Sequence, residues 1–327
     1  MAYQAYVLAN CGLDIAKTSI MCLNKDYSRK GNLNLQELFV LTDCTTRITA
    51  MQADVPGIIT GIMSVAAQKA EPLINVGSHC NKPHKCGYKG YCSRNLPANG
   101  KPSKIDREAV LKFLEIIKYP LYHLDFETYQ QVIPQWDSVN PYIQIPFQYS
   151  LHIQDSVSSE PTHKEFLAEH DRDPLRGFVE RLCADIPPDS CIIAYNASFE
   201  KMIIKLLAKM FPDLSNHLMN LHANFIDLAV PFRSGAYYCK QMNSSYSIKA
   251  VLPALCPTCD YPELDYKSLE IQNGSAAMGA YTELGGKSPE EIAATRKALL
   301  AYCRLDTLAM VRILEKLYEV ILTEPHS

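Results

Sequence analysis

No apolar run in the 327 residues approaches the ~18 needed to cross a bilayer, and no charged segment followed by an apolar core stands at the N-terminus. The first absence excludes a transmembrane helix. The second removes any recognisable export signal, so a soluble, cytoplasmic chain is expected. Repeats and low-complexity tracts are missing too. An apolar fraction of 47% with 20% charged residues is ordinary globular usage, not that of a disordered chain. Twelve cysteines remain to be explained. Without a secretion signal they point to a reducing compartment, where thiols bind metal or pack in cores more often than they pair. A chain of this length has room for about two domains.

The net charge of −3 conceals an asymmetry. Up to Val110 there are 13 basic residues against 8 acidic ones, and from Leu111 onward the balance is 19 against 27. Lys82, Lys85, Lys89, Arg94, Lys101, Lys104 and Arg107 crowd a stretch whose one acid is Asp106. Such density suits contact with phosphates, and it equally suits a solvated linker. The run 97–104, rich in breakers and charge, reads as that linker. It separates a segment at 1–95 from a linker and helix at 96–118 and a larger domain at 119–327.

Ahead of the linker the patterns predict a helix over 3–10, a strand over 15–23, a turn at 27–31 and a helix over 56–69. Beyond it they predict a helix over 106–118, with Val110, Phe113, Leu114 and Ile117 on its apolar face. Strands over 119–128, 146–153 and 162–168 follow, then a helix over 174–184 and a buried strand over 191–195. A helix over 198–210, a strand over 225–229 and a long helix from 289 to about 322 complete the order. Three strands able to form a meander, then alternating helix and strand, predict an α/β fold with a mixed sheet flanked by helices.

Three acidic segments carry the chemistry. In Tyr122-His123-Leu124-Asp125-Phe126-Glu127-Thr128 the two acids are two apart on a strand and share a face, while Leu124 and Phe126 turn to the core. Side-by-side carboxylates repel unless a cation lies between them. Tyr195-Asn196-Ala197-Ser198-Phe199-Glu200 sits where a buried strand meets a helix, a usual ligand position in α/β sheets. Ser198 as N-cap and Glu200 against the helix dipole are the purely structural alternative there. Tyr302 and Asp306, four apart in the last helix, share a face with Leu299 and Ala309 that turns inward, where an acid needs a partner.

Together these segments resemble the DEDD, or DnaQ-like, superfamily of 3′–5′ exonucleases on the ribonuclease H-like fold, over roughly 119–320. Within that resemblance the chain is closest to an uncharacterised bacterial domain family that follows a RecB-type nuclease in longer chains. The resemblance implies that Asp125, Glu127, Glu200 and Asp306 hold two Mg²⁺ or Mn²⁺ ions, that Tyr302 orients the attacking water, and that Asn196 and Phe199 touch the nucleic acid. The implied substrate is single-stranded DNA or RNA, with Lys82, Lys85, Lys89 and Arg94 as further contacts. Tyr129, Trp136, Tyr142, Phe147 and Tyr149 are stacking candidates that suit a core equally well. One position departs from the pattern: the third acid is usually Asp, and Glu200 displaces its carboxylate by about a bond length. Asp227 is a nearby acid able to substitute or support. An inactive ribonuclease H-like module that binds nucleic acid or protein is therefore the alternative, and an endonuclease on the same fold a third.

Cys80, Cys86 and Cys92, among basic and aromatic residues, resemble the cysteine trio that ends RecB-type (PD-(D/E)XK) nucleases carrying an iron–sulfur cluster. Tyr3-Gln4-Ala5-Tyr6 matches the late Gln/Tyr helix of such a core. The catalytic acids and lysine of that core are not in this sequence, so 1–95 reads as its C-terminal part, in a chain that is either a natural remnant or the C-terminal part of a longer protein. The resemblance implies an upstream nuclease region or a helicase-like partner. A [4Fe–4S] or Zn²⁺ site would draw a fourth ligand from Cys44, His79 or an outside thiol; three structural thiols are the alternative. Cys256 and Cys259 have zinc-half spacing without a second pair and read as a local turn.

Overall fold

β1 (Leu121–Tyr129), the central strand of the computed structural model, turns Tyr122, Leu124 and Phe126 into one core cluster. Period-two alternation therefore places His123, Asp125 and Glu127 on the opposite face. The structure describes residues 1–72, 74–82, 84–93, 103–157 and 159–322, in two units, Met1–Asn99 and Gly100–Ser327. Most of the expected linker at 97–104, and Arg94, lie outside the described residues.

In the second unit β1 pairs antiparallel with β2 (Ile145–Gln154), and β2 antiparallel with β3 (Thr162–Leu167). On its other side β1 runs parallel to β4 (Cys191–Ala194), which runs parallel to β5 (Phe225–Asp227). The order is β3-β2-β1-β4-β5, with β2 alone reversed. This is the mixed sheet flanked by helices that the element pattern predicts. α1 (Arg107–Leu114) is capped by Asp106, whose Oδ1 accepts the Ala109 N–H at 3.1 Å, and it stops short of residue 118. α2 (Leu175–Asp185), α3 (Ser198–Met210) and α4 (Ser215–Ala223) supply apolar residues to the cluster of Leu124 and Phe126. α5 (Ile248–Leu255), α6 (Gly274–Thr282) and the long α7 (Pro289–Leu322) complete the unit, with α6 and α7 packed against β1.

α7 is joined to the sheet by polar groups as well as apolar ones. Gln148 Nε2 donates to the Leu299 carbonyl at 2.8 Å, and Thr307 Oγ1 lies 2.7 Å from Ser150 Oγ and 2.8 Å from His152 Nδ1. Arg296 reaches the Ala168 and Leu167 carbonyls at 2.8 and 3.1 Å. His123, His152 and His163 stand opposite one another across β1, β2 and β3. Burial holds these imidazoles down, to about 3, 3 and 4, so they are neutral near pH 7. Three of the stacking candidates belong to the core. Phe147 stacks on Tyr281 with centroids 4.0 Å apart, Tyr149 is fully buried, and the Tyr129 hydroxyl accepts from Trp136 Nε1 at 2.9 Å. Tyr142 is exposed.

The first unit packs helices Ala2–Asn10, Thr45–Ala50 and Val55–Ala66 on one another and carries an antiparallel pair, Ser19–Leu23 with Phe39–Asp43. The second of these strands is not foreseen from sequence. It is exposed along its whole length, and a strand with no buried face leaves no alternation to read. Among the described residues of this unit only Tyr27, Leu38, Ile48, Val55 and Cys80 are buried. No single described helix is long and apolar enough to cross a membrane.

One buried charge in the second unit is tightly satisfied. Asp185 accepts from the Tyr149 hydroxyl at 2.7 Å, Arg181 Nε at 2.8 Å and Lys164 Nζ at 3.1 Å. Burial pushes its carboxyl up, but Arg181, Tyr149 and Lys164 outweigh burial and hold it below the usual range. Asp185→Ala leaves the buried phenol without its acceptor and should cost about 2–3 kcal/mol. Urea unfolding should show a lower midpoint at unchanged slope; a midpoint equal to wild type would contradict this accounting.

Candidate metal centre

Asp125 and Glu127 leave β1 on the face covered by α7, and α7 lowers Asp306 onto them. A carboxylate oxygen from each of Asp125, Glu127 and Asp306 lies within 4.8 Å of the others. Glu127 and Asp306 are buried and Asp125 is half-buried. Glu200, in the first turn of α3, lies outside that trio but close enough to act on it. Its charge raises both Asp125 and Glu127. Burial and the neighbouring acids push Asp125 well above the usual carboxylate range. Burial, with Asp306 adding to it and Lys249 opposing, takes Glu127 up to about 8. Burial takes Asp306 to about 6 against hydrogen bonds from Tyr266 and Tyr302 and the charge of Lys249.

Glu200 is 4% exposed, and its Oε2 has no hydrogen-bond partner. Burial raises it to about 8, with its own backbone N–H opposing and Asp227 adding. The capping alternative holds only in part: Glu200 does stand in the first turn of α3, where its carboxylate meets its own backbone N–H, but Ser198 is not the N-cap. Ala197 is the N-cap, Ser198 is the first helical residue, and no side chain caps α3. A buried carboxylate oxygen without a donor, beside three crowded acids, fits a cation better than it fits a helix terminus.

Asp227 supports the site from behind. Its Oδ1 accepts the N–H groups of Asn196 and Ala229 at 2.8 and 2.9 Å, and its Oδ2 pairs with Arg233 at 3.0 Å. It thereby fixes Asn196, which adopts a left-handed backbone with φ 64°. Asn196 is exposed, whereas Phe199 is partly buried and packs on the core.

Four groups around the acids carry no sequence signal. Tyr266, which begins a one-turn 3-10 helix before α6, donates its hydroxyl to Asp306 Oδ1 at 2.5 Å. Lys249, in the first turn of α5, has its Nζ 3.4 Å from the Tyr302 hydroxyl. The Cys303 thiol lies 3.6 Å from Asp125 Oδ2. Gly274 opens α6 against Glu127, and a Cβ there would stand 3.5 Å from Glu127 Oε2. Burial and the acids raise Tyr302 and Tyr266 so far that both remain neutral hydrogen-bond donors.

Residues 122–247 match the model of a domain of unknown function, DUF2779. That stretch holds Asp125, Glu127, Glu200 and Asp227; Tyr302 and Asp306 lie beyond it. An "Uncharacterized protein MG366 homolog" of Mycoplasma pneumoniae is 27% identical over 216 residues, which are 60% of this chain and 32% of that protein. The chain thus matches about a third of that relative's length. No solved structure matches.

Cys80, Cys86 and Cys92 line one cavity of the first unit together with His79 and Glu71. Cys44 does not line it; its thiol points to the Thr42 carbonyl at 3.6 Å. Among the described residues no three of these side chains converge within 4.8 Å of one another, as one zinc ion would require. Lys82 and Lys85 are exposed beside them, and Lys89 Nζ donates to Asn81 Oδ1 at 3.2 Å. Cys256 is buried and Cys259 exposed, on a turn closed by Asp260 N–H to the Pro257 carbonyl at 2.9 Å.

The crowding of acids sets a sign that can be measured. With chelator at pH 8, Glu127→Gln relieves a raised carboxylate and should stabilise the fold by about 1–3 kcal/mol. Mn²⁺ in large excess over its dissociation constant should stabilise the wild type by about 3 kcal/mol, and Glu127→Gln should lose most of that gain. Thermal melts with and without Mn²⁺ test both. A variant that melts lower than wild type in chelator, or a wild type indifferent to Mn²⁺, would refute the site.

Proposed function

We propose that the second unit is a ribonuclease H-like, metal-dependent 3′–5′ exonuclease of the DEDD type acting on single-stranded DNA or RNA. The observation that carries this is the convergence of Asp125, Glu127 and Asp306 from two distant parts of the chain to within 4.8 Å, with Glu200 beside them. A three-strand meander continued by two parallel crossover strands supports the same reading, because it is the element order that the motifs imply.

Hard, buried, mutually repelling oxygens suit Mg²⁺ or Mn²⁺. Asp125, Glu127, Asp306 and Glu200 would hold the ions, which supply Lewis acidity at the phosphoryl group and lower the pKa of attacking water. Tyr302 contributes a neutral phenol beside Asp306, positioned to hydrogen-bond a water or a phosphoryl oxygen. Tyr266 donates to Oδ1 of Asp306 and so limits, without neutralising, the charge of that carboxylate. Cys303, fully buried, sets its thiol 3.6 Å from Asp125 Oδ2. Asp227, through Asn196, fixes the loop that delivers Glu200. The cysteine cavity of the first unit is proposed as an iron–sulfur site of RecB-nuclease type, and an upstream nuclease region as its partner.

A second reading has one observation in its favour. Glu200 lies outside the 4.8 Å trio, at the position where the superfamily carries a shorter acid. An inactive binding module would keep the fold and the acids without the geometry for turnover.

Digestion of 5′-labelled single strands with Mn²⁺ decides between them. A ladder shortened from the 3′ end, abolished by Asp125→Asn, is the expected result. Glu200→Asp should lower the rate less than Glu200→Ala does. A nearly inert wild type that Glu200→Asp activates would establish the second reading, and undiminished cleavage by Asp125→Asn would sink the metal assignment. For the cysteines, anaerobically purified protein should be brown with broad absorbance near ~400 nm. Colourless protein with stoichiometric zinc would replace the cluster with a zinc site.

A further inference from the structure

Lys249 is the cation nearest to the acid cluster in its effect, since its charge lowers both Glu127 and Asp306. A lysine serving only as internal counter-ion would close onto a carboxylate. Lys249 does not: it forms no ion pair within 4.0 Å with any described acid. Its Nζ is instead held off the carboxylates by neutral groups. It donates to the Gln272 carbonyl, stands 3.4 Å from the Tyr302 hydroxyl, and lies over the rings of Tyr266 and Tyr302 at 5.1 and 5.2 Å.

These contacts have two consequences. An ammonium has three donors, and the two oxygen contacts leave one for a further acceptor. The residue is also exposed, on the first turn of α5, so that donor is reachable from solvent. Two aromatic faces and a carbonyl fix a side chain that would otherwise sweep freely, so little rotamer entropy remains to be lost when an anion arrives. Tyr266 and Tyr302, which hold it, are the same residues that hydrogen-bond Asp306, so the ammonium is registered to the acids rather than merely near them.

We propose that Lys249 is a substrate-binding residue that holds a non-bridging oxygen of a phosphodiester of the single strand beside the acid cluster. The inference rests on the nuclease reading and names the protein group that receives the strand's charge at the site. A strand entering among four carboxylates meets repulsion that the bound cations offset only at their own ligands. A fixed ammonium at the edge of the cluster offsets it at the neighbouring phosphate.

The test uses the full chain as wild type, Lys249→Ala and Lys249→Arg. Binding of a labelled twelve-nucleotide oligothymidylate is measured in Ca²⁺ over a series of salt concentrations, and Mn²⁺ binding is followed separately by thermal melts. Lys249→Ala should weaken oligonucleotide binding about tenfold and flatten the plot of log affinity against log salt by about 0.7, the loss of one phosphate contact on a single strand. Lys249→Arg should restore the slope, and Mn²⁺ stabilisation should persist in both variants. Cleavage should show the loss in KM more than in kcat. Unchanged affinity and slope in Lys249→Ala, with tighter Mn²⁺ binding, would overturn the proposal and leave Lys249 a counter-ion. A wild type that neither binds nor cleaves the strand would instead overturn the nuclease reading itself, a result distinct from a wild type that does both and is indifferent to Lys249.

Discussion

Three side chains of β2 bear on the placement of everything else in the second unit. Gln148, Ser150 and His152 point to the face that carries Asp125 and Glu127, and they bond to α7 at Leu299 and Thr307. Apolar packing alone lets a long helix slide or rotate by small amounts. A buried amide-to-carbonyl bond and a buried hydroxyl bond two turns apart do not, because leaving either group unsatisfied costs about 1–3 kcal/mol. Tyr302 and Asp306 lie between those two anchors. Their position over β1 therefore follows from polar bonds that take no part in the site.

That rigidity is needed because the site opposes the fold that builds it. Asp125, Glu127, Asp306 and Glu200 all carry raised carboxyls, chiefly from burial. Each raised carboxyl is free energy that the rest of the unit must supply near neutral pH. The polar groups around them are arranged to limit this without neutralising it. Tyr266 and Tyr302 donate to Asp306 as neutral phenols, and Lys249 acts at a distance. The row of His123, His152 and His163 is kept neutral on the same face, which prevents three imidazolium charges from competing with a divalent cation for the acids.

Much of this was legible in the sequence, and the limits of legibility have physical reasons. Strand alternation places Asp125 and Glu127 together, and helical spacing places Tyr302 with Asp306, because both periodicities act within a few residues. The mixed sheet follows from the order of elements. Local patterns say nothing about Lys249 or Tyr266. Lys249 lies in the first turn of an otherwise apolar helix and Tyr266 in a one-turn 3-10 helix, and only tertiary packing, of α5 on α7 and of the Tyr266 ring on Asp306, brings them to the acids. A first-turn acid suits the helix dipole, and Glu200 keeps that position; its burial beside three other acids is a tertiary fact. The exposed strand Phe39–Asp43 left no pattern at all.

The distribution of charge bears on how a polyanion could reach such a site. From Leu111 onward acids outnumber bases by 27 to 19, so the summed field of this part of the chain repels nucleic acid. Attraction must then be local and conditional. Cations held by the acids would reverse the sign at the cluster, and the charge of Lys249 already reaches Glu127 and Asp306. Lys249 has no carboxylate partner within 4.0 Å among the described residues. If the nuclease reading holds, such a site would admit a phosphate readily only with its metal bound. On the nuclease reading, metal loading and strand binding would each strengthen the other by the same factor through electrostatics alone, without any change of shape.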